Sequence, residues 1–192
     1  VRVKAVVGLR NPGSEYEGTR HNVGFEVLEV LADRHGGRLK RSSRLRSLTA
    51  EVRVGEERVV LVVPLAYMNE SGGPVQAAVA YFKATLEDVL VLHDDIDLAF
   101  GRLRLQVGGG SGGHNGIRAI ERALGARDFC RLKLGVGRPP ERMDPADFVL
   151  SRFSRAERPE VDLMVGDAAD VVEEWLVDPA RAQQRAARRG KE

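Results

Sequence analysis

Arg2-Val3-Lys4-Ala5-Val6-Val7-Gly8-Leu9 runs directly into Arg10-Asn11-Pro12-Gly13-Ser14-Glu15-Tyr16-Glu17-Gly18-Thr19-Arg20-His21-Asn22-Val23-Gly24. The first segment alternates and then turns apolar, as a strand does on entering a core. From Val23 to Arg34, the residues Val27, Leu28, Val30 and Leu31 fall at helical spacing, and Gly36-Gly37 stops the helix. The polar, glycine-punctuated stretch between strand and helix is too long for a plain connection, and such loops usually carry function.

The same strand-then-helix grammar continues downstream. Ala50, Val52 and Val54 alternate, Gly55-Glu56-Glu57 turns, and Val59-Val60-Leu61-Val62-Val63 reads as a buried strand ended by Pro64. Tyr67-Met68-Asn69-Glu70-Ser71-Gly72 is a short polar loop before a helix from Val75 to Ala84, with Pro74 in its first turn. Val89-Leu90-Val91-Leu92 is a further buried strand running into His93-Asp94-Asp95-Ile96-Asp97. Leu103, Leu105 and Val107 alternate on another. Gly108-Gly109-Gly110-Ser111-Gly112-Gly113-His114-Asn115-Gly116 then opens a helix from Ile117 to Leu124. Phe129 to Val136 is a strand with Cys130, Leu132, Leu134 and Val136 on one face. Pro139-Pro140 begins an irregular segment, and Val161 to Leu176 is a final helix.

Strands alternating with helices predict an α/β fold: one three-layer domain over residues 1–192, with a basic tail from about 180 to 192. The sheet is expected to be mixed and mostly parallel, with helices on both faces. In such folds ligands bind at the carboxyl ends of the strands. Asn11, Asn69, Asp94 and the pair His114-Asn115 each follow a strand, so four polar loops are expected to meet at one sheet edge.

Composition narrows the function classes. Hydrophobic residues are 43% and charged residues 30% of 192, ordinary for a globular protein, and the net charge is only +2. The basic residues are clustered, however, as Arg34, Arg38, Lys40, Arg41, Arg44 and Arg46, and again as Arg181, Arg185, Arg188, Arg189 and Lys191. Such runs suit phosphate backbones or simply a solvated surface. Cys130 is the only cysteine, which excludes an intrachain disulfide and a Cys-based zinc cage. No stretch is apolar for the length a bilayer requires and no secretory signal is evident, so a cytoplasmic protein is expected. Residue 1 is Val rather than an initiator Met.

His21 is the leading candidate for proton transfer, since imidazole titrates near neutrality, and Asp94 is the candidate to orient its second nitrogen. A helix-start histidine bonded to backbone is the structural alternative. His93-Asp94-Asp95-Ile96-Asp97 also resembles a metal cluster, but adjacent strand residues point to opposite faces, so no metal site is expected there. Gly109-Gly110-Ser111-Gly112-Gly113 matches a serine-hydrolase nucleophile elbow, yet no histidine follows His114 to complete the Ser, acid, His order. A glycine loop cradling an anion fits better, although it lacks the Lys-Ser/Thr ending of a nucleotide P-loop. Asn11, Asn69 and Asn115 suit holding a water, a carbonyl or a developing oxyanion. Tyr16 and Tyr67 offer faces on which bases stack. Cys130 is read as a packed hydrophobe.

Together, Val7-Gly8-Leu9-Arg10-Asn11-Pro12-Gly13, Tyr16, Thr19-Arg20-His21-Asn22, Gly24, Pro64, Tyr67-Met68-Asn69-Glu70-Ser71-Gly72, His93-Asp94-Asp95-Ile96-Asp97 and Gly112-Gly113-His114-Asn115-Gly116 resemble the bacterial peptidyl-tRNA hydrolase family. The resemblance covers nearly the whole chain in order. It implies a metal-free, cofactor-free esterase that releases tRNA from peptidyl-tRNA left by stalled ribosomes, acting as a monomer without an obligate protein partner. By the family's pattern His21 is the general base and Asp94 fixes its tautomer. Asn11 contacts the peptide and favours N-blocked substrates. Asn69, Asn115, Tyr16 and Tyr67 hold the 3′ end of the tRNA and the ester, with Met68 and His114 in support. A clamp for acceptor-stem phosphate is implied where this chain has Gln106, with Arg104 nearby, and then Arg131 and Lys133. Two rival readings remain: an RNA-binding protein on the same scaffold without catalysis, and a small-molecule esterase. Ester cleavage on charged tRNA separates all three.

Overall fold

A computed structural model describes residues 2–190. Lys191 of the C-terminal basic run and the identity of the first residue lie outside the described residues. Seven strands are present among them: β1 (Val3–Gly8), β2 (Lys40–Ser42), β3 (Ser47–Val54), β4 (Glu57–Pro64), β5 (Val89–Asp95), β6 (Leu103–Val107) and β7 (Cys130–Gly135). The helices are α1 (Val23–Arg34), α2 (Gly72–Phe82), α3 (Asn115–Leu124), α4 (Pro145–Val149), α5 (Arg158–Val177) and α6 (Pro179–Arg188).

The strands form one sheet in the order β2-β3-β4-β1-β5-β7-β6. β4, β1, β5 and β7 are parallel, while β2, β3 and β6 run antiparallel to their neighbours. The parallel centre explains the uniformly apolar runs: β1 and β5 are covered on both faces, so both side-chain registers must be hydrophobic. Val6, Leu61, Leu90, Leu92, Leu132 and Leu134 face one core with α1, α5 and α6. Ala5, Val7, Val60, Val62, Val89 and Val91 face the other, with α2 and α3. The expected three-layer architecture with a mixed sheet is what the chain adopts, its six pairings divided evenly between parallel and antiparallel.

Three features differ from the sequence reading. β6 runs antiparallel, with Leu103 opposite Leu134 and Val107 opposite Cys130, so its carboxyl end lies at the edge opposite the carboxyl ends of β4, β1, β5 and β7. His114 therefore reaches the polar edge not by following a strand end but because the glycine stretch carries the chain back along the strand. That stretch takes positive φ at Gly108, Gly109, Gly112 and Gly113, backbone states that cost glycine little. Second, the segment after Pro139-Pro140 includes α4, capped by Asp144, whose carboxylate accepts from Ala146 N at 2.9 Å.

Third, the basic tail is helical from Pro179 to Arg188, with Ala182 and Ala186 fully buried. Its charges are largely met: Arg181 pairs with Glu174, Arg185 with Asp170, and Arg189 with Glu160 and Asp167. The first basic run behaves otherwise. Arg34 pairs with Asp170 and Glu173, but Arg38, Lys40, Arg41, Arg44 and Arg46 are exposed and form no ion pair among the described residues. No helix among the described residues is long and apolar enough to cross a membrane.

Candidate active site

The long loop after β1 is closed on itself by two asparagines. Asn11 N donates to Asn22 Oδ1 at 2.8 Å, and Asn22 Nδ2 returns to Asn11 O at 3.0 Å. The twelve residues from Asn11 to Asn22 are thus stapled at their ends, which brings the 3-10 turn Arg20–Asn22 back over the sheet. α1 then begins in direct contact with β5. A Cβ on Gly24 would fall 2.3 Å from Leu92 O, so no other residue permits this approach. His21 is thereby carried to Asp94, two residues beyond Leu92.

Arg20 holds the turn from the other side. It is buried, bonds Ser151 O, Ser151 Oγ and Arg152 O, and pairs with Glu157 at 2.7 Å. Its guanidinium also lies 4.3 Å from the Phe148 ring centre and 5.1 Å from that of Phe153. Backbone bonds Arg20 N to Ser151 O and Phe153 N to Gly18 O complete the seam. Composition and periodicity gave no sign of this arginine's role, since a single Arg in a polar loop reads as solvated.

Asp94 is the centre of the site. It is buried, and both of its oxygens lie 2.9 Å from His21 Nδ1. Oδ1 also lies 2.8 Å from His114 Nε2. Desolvating a carboxylate costs several kcal/mol even after relaxation (of order 5), and burial alone pushes the Asp94 pKa up. The charges and hydrogen bonds of His21 and His114 more than offset that, holding it well below the usual carboxylate range. Asp94 is therefore ionised at neutral pH.

The tautomers follow from the remaining partners. His114 is the N-cap of α3, its Nδ1 accepting from Gly116 N at 3.1 Å and Ile117 N at 3.3 Å. An imidazole nitrogen that accepts carries no proton, so in neutral His114 the proton sits on Nε2 and is donated to Asp94. Burial keeps His114 below the ordinary histidine pKa. His21 donates Nδ1–H to Asp94, leaving its Nε2 lone pair free. Burial pushes the His21 pKa down, but the Asp94 charge and hydrogen bond push it up by more, so the net shift is upward. His93 donates Nδ1 to Asp94 O at 2.8 Å and is held well below the ordinary value by burial and by His114.

His21, Asp94 and His114 bring three potential ligand atoms within 4.8 Å of one another. His21 Nδ1 and His114 Nε2 carry the protons given to Asp94, and a metal bound through those two nitrogens would require both to be lost. The donor set is arranged for holding protons.

Beside this centre, Asn11 is 7% exposed and its Oδ1 accepts from Met68 N at 2.7 Å. That bond fixes the amide orientation and leaves Nδ2 as a spare donor. Met68 is buried, while Asn69 in the turn Met68–Glu70 and Asn115 at the start of α3 are exposed. Tyr16 and Tyr67 meet edge to face, with ring centres 6.4 Å apart. A cleft of about 160 Å³ opens at His21, walled by His93, Ile96, the Gly112-Gly113-His114-Asn115 stretch, Pro145, Ala146 and Val149.

Residues 5–192 match the family model described as peptidyl-tRNA hydrolase. The chain belongs to the peptidyl-tRNA hydrolase family. It is 51% identical to the peptidyl-tRNA hydrolase of Kineococcus radiotolerans over 187 residues, covering 94% of each chain. It is 52% identical to that of Frankia casuarinae, covering 90% of this chain and 87% of the relative. The crystal structure of peptidyl-tRNA hydrolase from Acinetobacter baumannii superposes with a TM-score of 0.91 at 33% identity, covering 97% of this chain and 95% of that one.

Within this peptidyl-tRNA hydrolase fold, one expected phosphate ligand is corrected. Arg131 is 0% exposed, ion-paired to Glu121 at 3.0 Å and bonded to Arg127 O and Gly110 O. Its fork is spent on anchoring the glycine stretch and α3. Lys133 lies 3.6 Å from Asp95 and opposite Arg104 on β6, whose side chain is exposed. Gln106 turns back to Gly108 O at 3.1 Å. Cys130 is buried, its thiol pushed up to about 11 by desolvation, in keeping with a packing role.

Proposed function

We propose that this chain hydrolyses the ester joining the peptide to the 3′ end of tRNA, with His21 as general base. The observation that carries the reading is the His21 Nδ1 contact to both Asp94 oxygens, which leaves Nε2 as a free acceptor at the cleft. His21 Nε2 takes a proton from water as the water oxygen attacks the ester carbonyl carbon. Asp94 stabilises the imidazolium that forms. The tetrahedral intermediate then collapses, the bond to the ribose oxygen breaks, and His21 returns its proton to that oxygen. Free tRNA and a peptide carboxylic acid leave. In this reading the exposed amides of Asn69 and Asn115 hold the ester and its developing oxyanion.

Asn11 accounts for a preference for N-blocked substrates. Its free Nδ2 is a donor and needs an acceptor. A blocked amide presents a carbonyl, whereas a free α-ammonium presents only donors and would face it repulsively. Tyr16 and Tyr67 supply stacking faces for the CCA end, and the acceptor stem runs past the glycine stretch towards Arg104 and Lys133. The chain acts as a monomer in the cytoplasm, where peptidyl-tRNA arises. Metal chemistry has no role in this scheme.

The test is hydrolysis of N-acetyl-aminoacyl-tRNA against free aminoacyl-tRNA, with His21→Ala as the decisive variant. Loss of cleavage by His21→Ala with retained tRNA binding is expected; full activity would end the proposal. Salt-sensitive RNA binding with no cleavage by the unsubstituted chain would favour the RNA-binding alternative.

A further inference from the structure

The carboxyl edge of the sheet carries a second concavity that the mechanism above uses only at its mouth, where Tyr67 stands. It is a groove of about 690 Å³ that starts at Pro12 and Tyr67, beside the Asn11–Met68 bond, and continues past Leu65 to Arg46, Ser42 and Arg41. The strand register places it. Pro64 at the end of β4 lies opposite Ser47 of β3, which lies opposite Ser42 of β2. The groove therefore crosses the tops of β4, β3 and β2 and leads away from β5, the strand that bears Asp94.

Its far end is basic and unneutralised. Arg41 and Arg46 line it and pair with no acid among the described residues, and Glu70 is the single acidic residue in the lining. Arg46 is held at φ +50, a conformation that a side chain with a Cβ adopts at a cost. Its carbonyl accepts from Leu65 N at 2.9 Å, and its guanidinium lies over Gly73. Glycine would relieve the strain at Arg46; the chain carries a cation there instead.

We infer that this groove receives the upstream part of the peptidyl group and selects acidic side chains there. The inference rests on the proposed reading. With the RNA leaving over β5 and β7 towards Arg104 and Lys133, the peptide is left the opposite direction, over β4 and β3. Neighbouring strands are about 4.8 Å apart, so Arg46, beside β3, and Arg41, on β2, sit about 14 and 19 Å from the top of β5, where His21 meets Asp94. An extended peptide advances about 3.3 Å per residue. Its fourth to sixth residues from the ester thus meet the arginines, and its first residue does not.

The experiment compares N-acetylated tetrapeptidyl-tRNAs that share one esterified residue and carry Asp, Ser or Lys at the fourth position from the ester. N-acetyl-aminoacyl-tRNA, too short to enter the groove, is the control. Two exposed Arg–carboxylate contacts predict a preference for Asp over Lys of about three- to tenfold in kcat/KM, carried by KM. In the Arg41→Ala/Arg46→Ala double variant that preference disappears, while hydrolysis of the short substrate stays within about twofold, as expected for an exposed pair outside the ester site. Equal rates for Asp and Lys substrates with the unsubstituted chain overturn the inference. So does a double variant that loses the short substrate and shows a shallower salt dependence, since the groove would then hold RNA. Failure of the underlying reading shows separately, as no hydrolysis of the short substrate by the unsubstituted chain, and would remove the inference with it.

Discussion

Asp94 Oδ1 lies 2.8 Å from His114 Nε2 and 2.9 Å from His21 Nδ1, so one buried carboxylate is shared between two histidines of opposite duty. His114 spends its other nitrogen capping α3 and is fixed as a donor. His21 keeps its other nitrogen free. The second donor makes an ionised Asp94 tolerable in the interior without competing for the cleft.

Substituting His114 separates these roles. His114→Ala removes the cap and one Asp94 donor, and should cost about 1–3 kcal/mol of stability in denaturant melts. His114→Asn restores a good capping side chain but cannot span to Asp94, so it should recover much of that loss. With Asp94 bonded to His21 alone, the carboxylate holds the imidazolium more strongly. The rate–pH profile of His114→Asn should therefore shift to higher pH relative to the unsubstituted chain. An unshifted profile would show that His114 is a cap and nothing more.

Asp94→Asn tests the other half of the pair. His21 has a raised pKa, because the Asp94 charge and hydrogen bond outweigh burial. The base form exists above that pKa, so kcat/KM should rise with pH and reach half its plateau above the ordinary histidine value of about 6.5. Without the Asp94 charge only burial remains, and the inflection should fall below about 6.5. The plateau should drop by about 10²- to 10⁴-fold, as the tautomer is no longer held. A profile unchanged in position would mean that His21 is not the group being titrated.

The phosphate contacts give a paired prediction. Arg131→Met breaks a buried pair with Glu121 and should destabilise by about 3–5 kcal/mol. It should leave the salt dependence of tRNA binding unchanged, because the buried guanidinium neutralises no phosphate. Arg104→Ala, at an exposed position on β6, should leave stability within about 0.5 kcal/mol. It should reduce the slope of log K against log salt by about one. Filter binding over a salt series reads both.

These residues also show what a sequence can disclose. The approach of His21 to Asp94 and the place of Asn11 after β1 were legible because residue type and position after a strand carry the signal; the place of Asn115 was not, since β6 ends at the opposite edge. α1 was legible to the residue because its apolar spacing and glycine stop are local. The antiparallel direction of β6 was not, since five alternating residues read the same in either direction. Nor was the burial of Arg131, because charge alone suggests a surface and Glu121 lies on a different element. α6 was hidden by its arginines, which are solvated or paired with α5 while two alanines do the packing.

Arg20 was equally hidden, and it sits next to His21, the proposed base. Its guanidinium joins the turn bearing His21 to Ser151, Arg152 and Glu157, just beyond α4, whose Pro145, Ala146 and Val149 wall the cleft. Arg20→Lys keeps the charge but loses the planar fork that bonds four acceptors on three residues and lies against the Phe148 and Phe153 rings. The expected result is a fall in kcat/KM of about tenfold or more, the size a displacement of roughly 1 Å can cause. The chain should still melt cooperatively, with a loss of about 1–3 kcal/mol. Because Asp94 still holds His21, the position of the rate–pH inflection should not move. A shifted inflection would mean that Arg20 acts on His21 electrostatically, and unchanged kinetics with lowered stability would make it a fold contact only.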